Sequence, residues 1–156
     1  MSPLQTQPRG MYFEEFQPGQ KLVSAGRTIT ESDVVTFAGL SGDFNQIHVD
    51  AEYSKNTPFG QRVAHGLLGL AIASGLVVQT GLMEGTIILF REITEWKFVK
   101  PIYLGDTIHV DIEVVETKDM RRLGGGIVLI DLDVKNQTND TVMKGLWRAL
   151  IASRPA

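Results

Sequence analysis

The stretch "SGDFNQIHVDAEYSKNTPFGQRVAHG", residues 41–66, holds His48 and His65, two of the three histidines of the chain, together with Asp43 and Asn45. A carboxylate and an imidazole that share one water can take its proton and supply a proton elsewhere, which is general acid–base work near neutral pH. Asp43 and His48 are five positions apart. On a continuous helix that spacing sets them about 140° apart, so they meet only if the segment turns, which Gly42 and Asn45 permit. A structural reading stands beside the chemical one: Asp43 and Asn45 cap turns and His48 hydrogen-bonds in the core.

His65-Gly66 opens the most apolar segment, "GLLGLAIASGLVVQTG", residues 66–81. Backbone N–H groups at a helix N-terminus stabilise negative charge, and a glycine there has no side chain to block a substrate oxygen, so Gly66 N–H is a candidate oxyanion donor. Close packing explains the same glycine equally well. His48, His65 and a carboxylate lack the helical His-x-x-x-His spacing of a metal site, and no metal is expected. His109 reads as a solvated strand residue, Trp96, Phe98 and Trp147 as core or interface aromatics.

Elements must position these groups. Thr30 caps a helix with Asp33 in the place of a capping-box acid, and Val34, Phe37 and Ala38 share its inner face. Ser41-Gly42 stops that helix and delivers Asp43 just beyond it. Asp50 caps a second short helix that ends over Asn56–Gly60. The 66–81 segment is apolar nearly all round and reads as an enclosed helix, its small residues Gly69, Ala71, Ala73, Ser74 and Gly75 admitting other backbone. It is too short to span a bilayer, which takes roughly 20 residues. From Thr86 the period becomes two: Ile108, Val110, Ile112 and Val114 point one way, as do Val128, Ile130, Leu132 and Val134 in the next strand. "GTIILF" with "ITEWKFVKPI" and "TVMKGLWRALI" add strands, with turns at Leu104-Gly105-Asp106, Gly124-Gly125-Gly126 and Asn139-Asp140. About four antiparallel strands thus follow the helices, and the buried helix is the one element apolar enough to cover their inner face. Exposed sheet edges favour pairing with a second copy.

Composition narrows the partners. With a net charge of −3 there is no basic face for nucleic acid and no polybasic stretch for a membrane surface. Zero cysteines exclude disulfide and thiolate chemistry and fit a cytoplasmic location. "MSPLQTQPRG" lacks the pattern of a secretory signal, so residues 1–14 read as a flexible tail and 15–153 as a single domain. The charges at Lys97, Lys100, Arg121 and Arg122 read as solvated.

"SGDFNQIHVD", then "VAHGLL" with its small-residue helix, resembles the MaoC-like family of (R)-specific enoyl-CoA hydratases and dehydratases. "WKFVKPIYLGDTIHV" is similar to that family's F-x-x-P-x-x-x-G-D stretch, and the likeness runs from about Phe16 to Ile151. It implies an α+β hot-dog fold, an antiparallel sheet wrapped around a long central helix, paired into a homodimer. It further implies that Asp43 and His48 hold and activate water, that Gly66 N–H holds the thioester oxygen, and that Ser74 and Asn45 belong to the substrate site. The implied reaction hydrates a trans-2-enoyl-CoA to an (R)-3-hydroxyacyl-CoA, with no cofactor beyond the coenzyme A of the substrate. Two other functions fit such a fold: an acyl-CoA thioesterase, and a non-catalytic acyl-CoA-binding module.

Overall fold

The computed structural model describes residues 10–155. In chain order they form β1 (Lys21–Val23), β2 (Arg27–Thr28), α1 (Glu31–Ser41), α2 (Gln46–Val49), α3 (Ala51–Lys55), α4 (Gly66–Gln79), β3 (Ile87–Phe98), β4 (Thr107–Met120), β5 (Gly125–Lys135) and β6 (Thr141–Ala152). All pairings are antiparallel, in the order β1-β4-β5-β6-β3, with β2 also on β4. This is the hot-dog architecture, the sheet carrying α4 on its inner face.

Period-two patterning set the two central strands. Ile108, Val110, Ile112, Val114, Val128, Ile130, Leu132 and Val134 are all buried. Registers Val110↔Val134 and Ile112↔Leu132 stack them into one apolar layer, against which Leu68, Ile72, Ala73, Leu76 and Val77 of α4 pack in a single core. The segment after Thr86 forms one long strand rather than two. It bends at register shifts, one of them around Glu95, whose φ of 55° marks a bulge. Gly105 turns the chain as expected, at φ 95°, but in the Gly124-Gly125-Gly126 run only Gly124 does, while Gly125 and Gly126 already lie in β5.

The capping box at the start of α1 forms as expected. Asp33 N–H donates to Thr30 Oγ1 at 3.2 Å and Thr30 N–H to Asp33 Oδ2 at 2.9 Å. Asp50 likewise caps α3 by accepting from Tyr53 N–H at 2.9 Å.

Four expectations change. β1 and β2 escape a pattern-based reading because every residue in them is exposed; pairing with β4 holds them, and no alternation records that. Of the residues read as a tail, 1–9 lie outside the described residues, whereas Gly10 is buried and donates to Glu84 O at 2.9 Å, with Met11 donating to Leu82 O at 3.0 Å. The helix α4 is enclosed on one side only. Leu67 and Val78 are 61% and 56% exposed, with Ala71 between them on the same stripe, because one sheet covers one helix face and nothing among the described residues covers the other. Finally, the small residues of α4 are not all used for close approach. A β-carbon at Gly69 would meet Met143 Cε at 2.5 Å, but one at Gly75 would meet nothing within 4 Å.

Candidate active site

The turn that brings Asp43 and His48 together is built locally. Gly42 ends α1 at φ 78°, a left-handed conformation that favours glycine. Asp43 N–H then donates to Ser41 Oγ at 3.1 Å, and Asn45 N–H donates to Asp43 Oδ1 at 3.2 Å. Asn45 caps α2 by accepting from Ile47 N–H at 3.2 Å. One short turn of helix later His48 faces back toward Asp43.

His48 is buried, and its Nδ1 lies 2.7 Å from the carbonyl oxygen of Val63. A carbonyl only accepts, so that nitrogen carries the proton and Nε2 is left as the free lone pair. Nε2 stands 4.0 Å from Asp43 Oδ2, whose side chain is 52% exposed. That gap is too long for a direct hydrogen bond. A water at about 2.8 Å from each acceptor would subtend an angle of roughly 90° between them, close enough to its own geometry to donate to both. The structural reading holds, and it does not compete with the chemical one: the bonds that cap the turn and pin the ring are what leave one nitrogen and one carboxylate oxygen facing each other.

Burial, then the nearby His65 ring, push the His48 imidazole below its ordinary value, more than the Val63 carbonyl and the Asp43 carboxylate raise it. The neutral base consequently survives to lower pH than in a free imidazole. The acid limb of kcat/KM is expected below pH 6.5, read from a full pH–rate profile; a limb at or above 6.5 would contradict it. The sign for stability agrees. The unfolded chain takes up the His48 proton first, so this contribution is whole above about 6.5 and is lost as pH falls toward the folded-state value.

Beside the pair opens a cleft of about 510 Å³, whose walls include His48, Phe59, Val63, Gly66, Leu67, Phe98 and Met143. Gly66 is the first residue of α4, and His65, which precedes it, makes no side-chain cap bond. The first N–H groups of a fourteen-residue helix thus face an apolar cleft without a side chain to satisfy them. A β-carbon on Gly66 would meet the Phe98 ring at 2.8 Å, so the glycine both clears the donor and seats that ring over the helix end.

His48 and Gly66 line this cleft, and Asp43 stands behind His48, 4.0 Å from its Nε2. Asn45 shapes the turn that carries Asp43. Ser74 does not join them: it lies eight residues along α4 from Gly66, about 12 Å by helical rise, half-buried and away from the cleft walls. Sequence reasoning missed Arg62. Its Nε donates to His48 O at 2.6 Å and its Nη1 to both carboxylate oxygens of Glu31 at 2.8 and 2.9 Å, strapping α2 to the start of α1. No spacing rule links positions 31, 48 and 62, so nothing in the sequence announces that strap.

Asp43, His48 and His65 each bring one potential ligand atom to within 4.8 Å of the others. The two rings are nevertheless stacked, with centroids 3.8 Å apart and planes inclined by 29°. Imidazole lone pairs lie in the ring plane, so stacked rings do not converge on one ion. The donor set fits packing and proton transfer better than metal binding.

A hot-dog fold here sets a carboxylate–imidazole pair near an uncapped helix N-terminus, the kinds of group that acid–base chemistry and the holding of a negatively charged oxygen each require. Residues 15–136 match the family model described as the MaoC like domain, and the chain belongs to that family. It is 41% identical over 103 residues to protein MaoC of Klebsiella aerogenes, covering 66% of this chain but 30% of that protein. With an (R)-specific enoyl-CoA hydratase of Rhodospirillum rubrum it shares 37% identity over 103 residues, 66% of this chain and 69% of the relative. The solved structure of a monoamine oxidase regulatory protein from Archaeoglobus superposes with a TM-score of 0.87 at 41% identity, covering 94% of this chain and 97% of the other.

Proposed function

We propose that this protein catalyses the reversible hydration of a trans-2-enoyl-CoA to an (R)-3-hydroxyacyl-CoA. The observation that carries the proposal is the gap between His48 Nε2 and Asp43 Oδ2, 4.0 Å, open to a water beside the cleft. The thioester lies along the cleft with its carbonyl oxygen on Gly66 N–H. The pair removes a proton from the water as its oxygen bonds to C3 of the enoyl group, and the C2=C3 electrons move toward the carbonyl. Negative charge on that oxygen meets the helix N-terminus, an effect worth roughly 3 kcal/mol for one good donor. A proton then returns to C2 from the same two groups. They titrate as a coupled pair, so the two transfers are assigned to the pair jointly. This route uses no metal or redox cofactor, and coenzyme A enters with the substrate. The hydratase named among the relatives supports the substrate class and the (R) hand.

Loss of enoyl-thioester absorbance with crotonyl-CoA, with the product's chirality assigned, tests the reading. An (R)-3-hydroxy product supports it. Free thiol release without hydration would make the protein a thioesterase, and binding without turnover would make it an acyl-CoA-binding module.

The active unit proposed is a homodimer working in the cytoplasm. Edge strand β3 exposes Ile87, Ile88, Leu89 and Phe90, and α4 exposes Leu67 and Val78. A long apolar edge strand beside an apolar helix stripe is a pairing surface that a lone chain leaves in water. Among the described residues no helix is long and apolar enough to cross a membrane. Sedimentation of the wild type is expected to give a dimer, and Val78→Glu a shift of at least tenfold toward monomer at equal concentration; a monomeric wild type would refute the pairing.

A further inference from the structure

We propose that His65 is a positioning residue for the Asp43–His48 pair, holding the carboxylate segment by a hydrogen bond and the imidazole by a ring stack. The inference rests on the acid–base reading of the site. Its Nε2 lies 2.9 Å from the backbone oxygen of Asp43. Its ring stacks on that of His48 at 3.8 Å and meets Phe37 of α1 at 4.9 Å on a tilt of 58°.

Each contact supplies what the neighbouring residues lack. The other hydrogen bonds of Asp43 go to Ser41 and Asn45, within its own turn, and would travel with that turn if it swung away. Among the described residues, the bond from His65 alone ties Asp43 to the rest of the molecule. His48 has the opposite deficiency. Its Nδ1 bond to Val63 O fixes where the ring points but leaves it free to tilt about that bond. A ring stacked face to face removes the tilt, so Nε2 stays aimed at Asp43 Oδ2. His65 itself cannot wander, being 2% exposed and set at the N-terminus of α4.

Packing alone does not account for a histidine here. The Asp43 carbonyl only accepts, so His65 Nε2 carries the proton and its Nδ1 is a bare acceptor. That atom is buried without a partner. A phenylalanine would fill the same space without an orphaned polar atom, and buried polar atoms are retained unpaired mainly where a second demand requires them. The demand met here is the bond to Asp43.

The two contacts can be removed separately. His65→Phe keeps a ring against His48 and loses the donor; His65→Gln keeps an amide N–H that reaches toward Asp43 O and loses the ring; His65→Ala loses both. Because a misplacement of about 1 Å can cost 10²-fold, kcat for crotonyl-CoA hydration is expected to fall 10- to 100-fold in Phe and Gln and further in Ala. KM should stay within threefold, since His65 is not itself a wall of the cleft. Folded Phe and Gln variants with wild-type kcat would overturn the proposal, as would losses confined to KM.

A readout independent of turnover separates this proposal from the reaction it rests on. The titratable groups facing His48 are Asp43 and the neutral His65, with the Arg62 guanidinium on its backbone oxygen. Replacing the stacked imidazole in His65→Phe should shift the NMR titration midpoint of His48, because both the surroundings of its ring and its distance from the Asp43 carboxylate change. If the wild type hydrates no enoyl-CoA, the functional reading fails while this shift still tests the stack; a midpoint unmoved in all three variants would overturn the positioning role.

Discussion

Asp43→Asn is expected to lower kcat/KM for crotonyl-CoA hydration by about 10³-fold, within the span usual for a positioned acid–base group, while changing stability by less than about 0.5 kcal/mol. The two halves of that expectation have different causes. Structurally Asp43 is half exposed, and its carboxylate serves as acceptor for Asn45 N–H, a role an amide oxygen fills equally well. Chemically the amide has no basic oxygen to share a proton with His48. His48→Gln should cost comparable activity but also stability, because it disturbs the buried bond to Val63 O, and leaving such a carbonyl unpaired costs about 1–3 kcal/mol. The double variant should be scarcely slower than the worse single one, since two groups that act as a unit are lost once. Kinetics of the three variants beside their melting curves would check this. Additive losses, or an Asp43→Asn enzyme of near-normal rate, would remove the pair from the chemistry.

Gly66→Pro should reduce kcat by about 10²- to 10³-fold relative to Gly66→Ala, the range for one oxyanion donor. The comparison isolates the N–H because both variants place a β-carbon where it meets the Phe98 ring at 2.8 Å. Phe98 is 55% exposed and can swing outward, so crowding in Ala should appear as a modest change in KM. Proline adds the loss of the donor and fills its place with ring carbon. The backbone tolerates it: the first helical position suits proline, and His65 at φ −60°, ψ 135° already has the extended conformation that a following proline requires. Unchanged melting with equal kcat in the two variants would show that the carbonyl is held elsewhere.

Much of this fold could be read before any coordinates. The eight inward residues of β4 and β5 follow strict alternation, and alternation is a local property that a half-buried strand cannot avoid. The capping box at Thr30 and Asp33 and the stop at Gly42 are local too, each written within a few residues of the bond it makes. Where the energetics were not local, the reading fell short. β1 and β2 are held by a partner strand more than 70 residues away. Helix α4 looked enclosed from its composition, but enclosure depends on what lies opposite each face, and hydrophobicity does not say whether that is a sheet or a second chain.

The candidate site divides along the same line. Sequence alone determined which groups exist and that they crowd into one broken segment: a carboxylate, two imidazoles, and a glycine at the head of an apolar helix. It left open whether Asp43 and His48 could meet at all, since their spacing on a helix forbids it. Tertiary structure decided that, through a left-handed glycine, a bond to the Val63 carbonyl that selects the free nitrogen of His48, and the Arg62 strap. It also separated Ser74 from the cleft and gave His65 its hold on both partners. Residue type limits what chemistry is available, but proton transfer depends on distances of a few ångströms, and only long-range packing sets distances between groups that the chain itself leaves free to part.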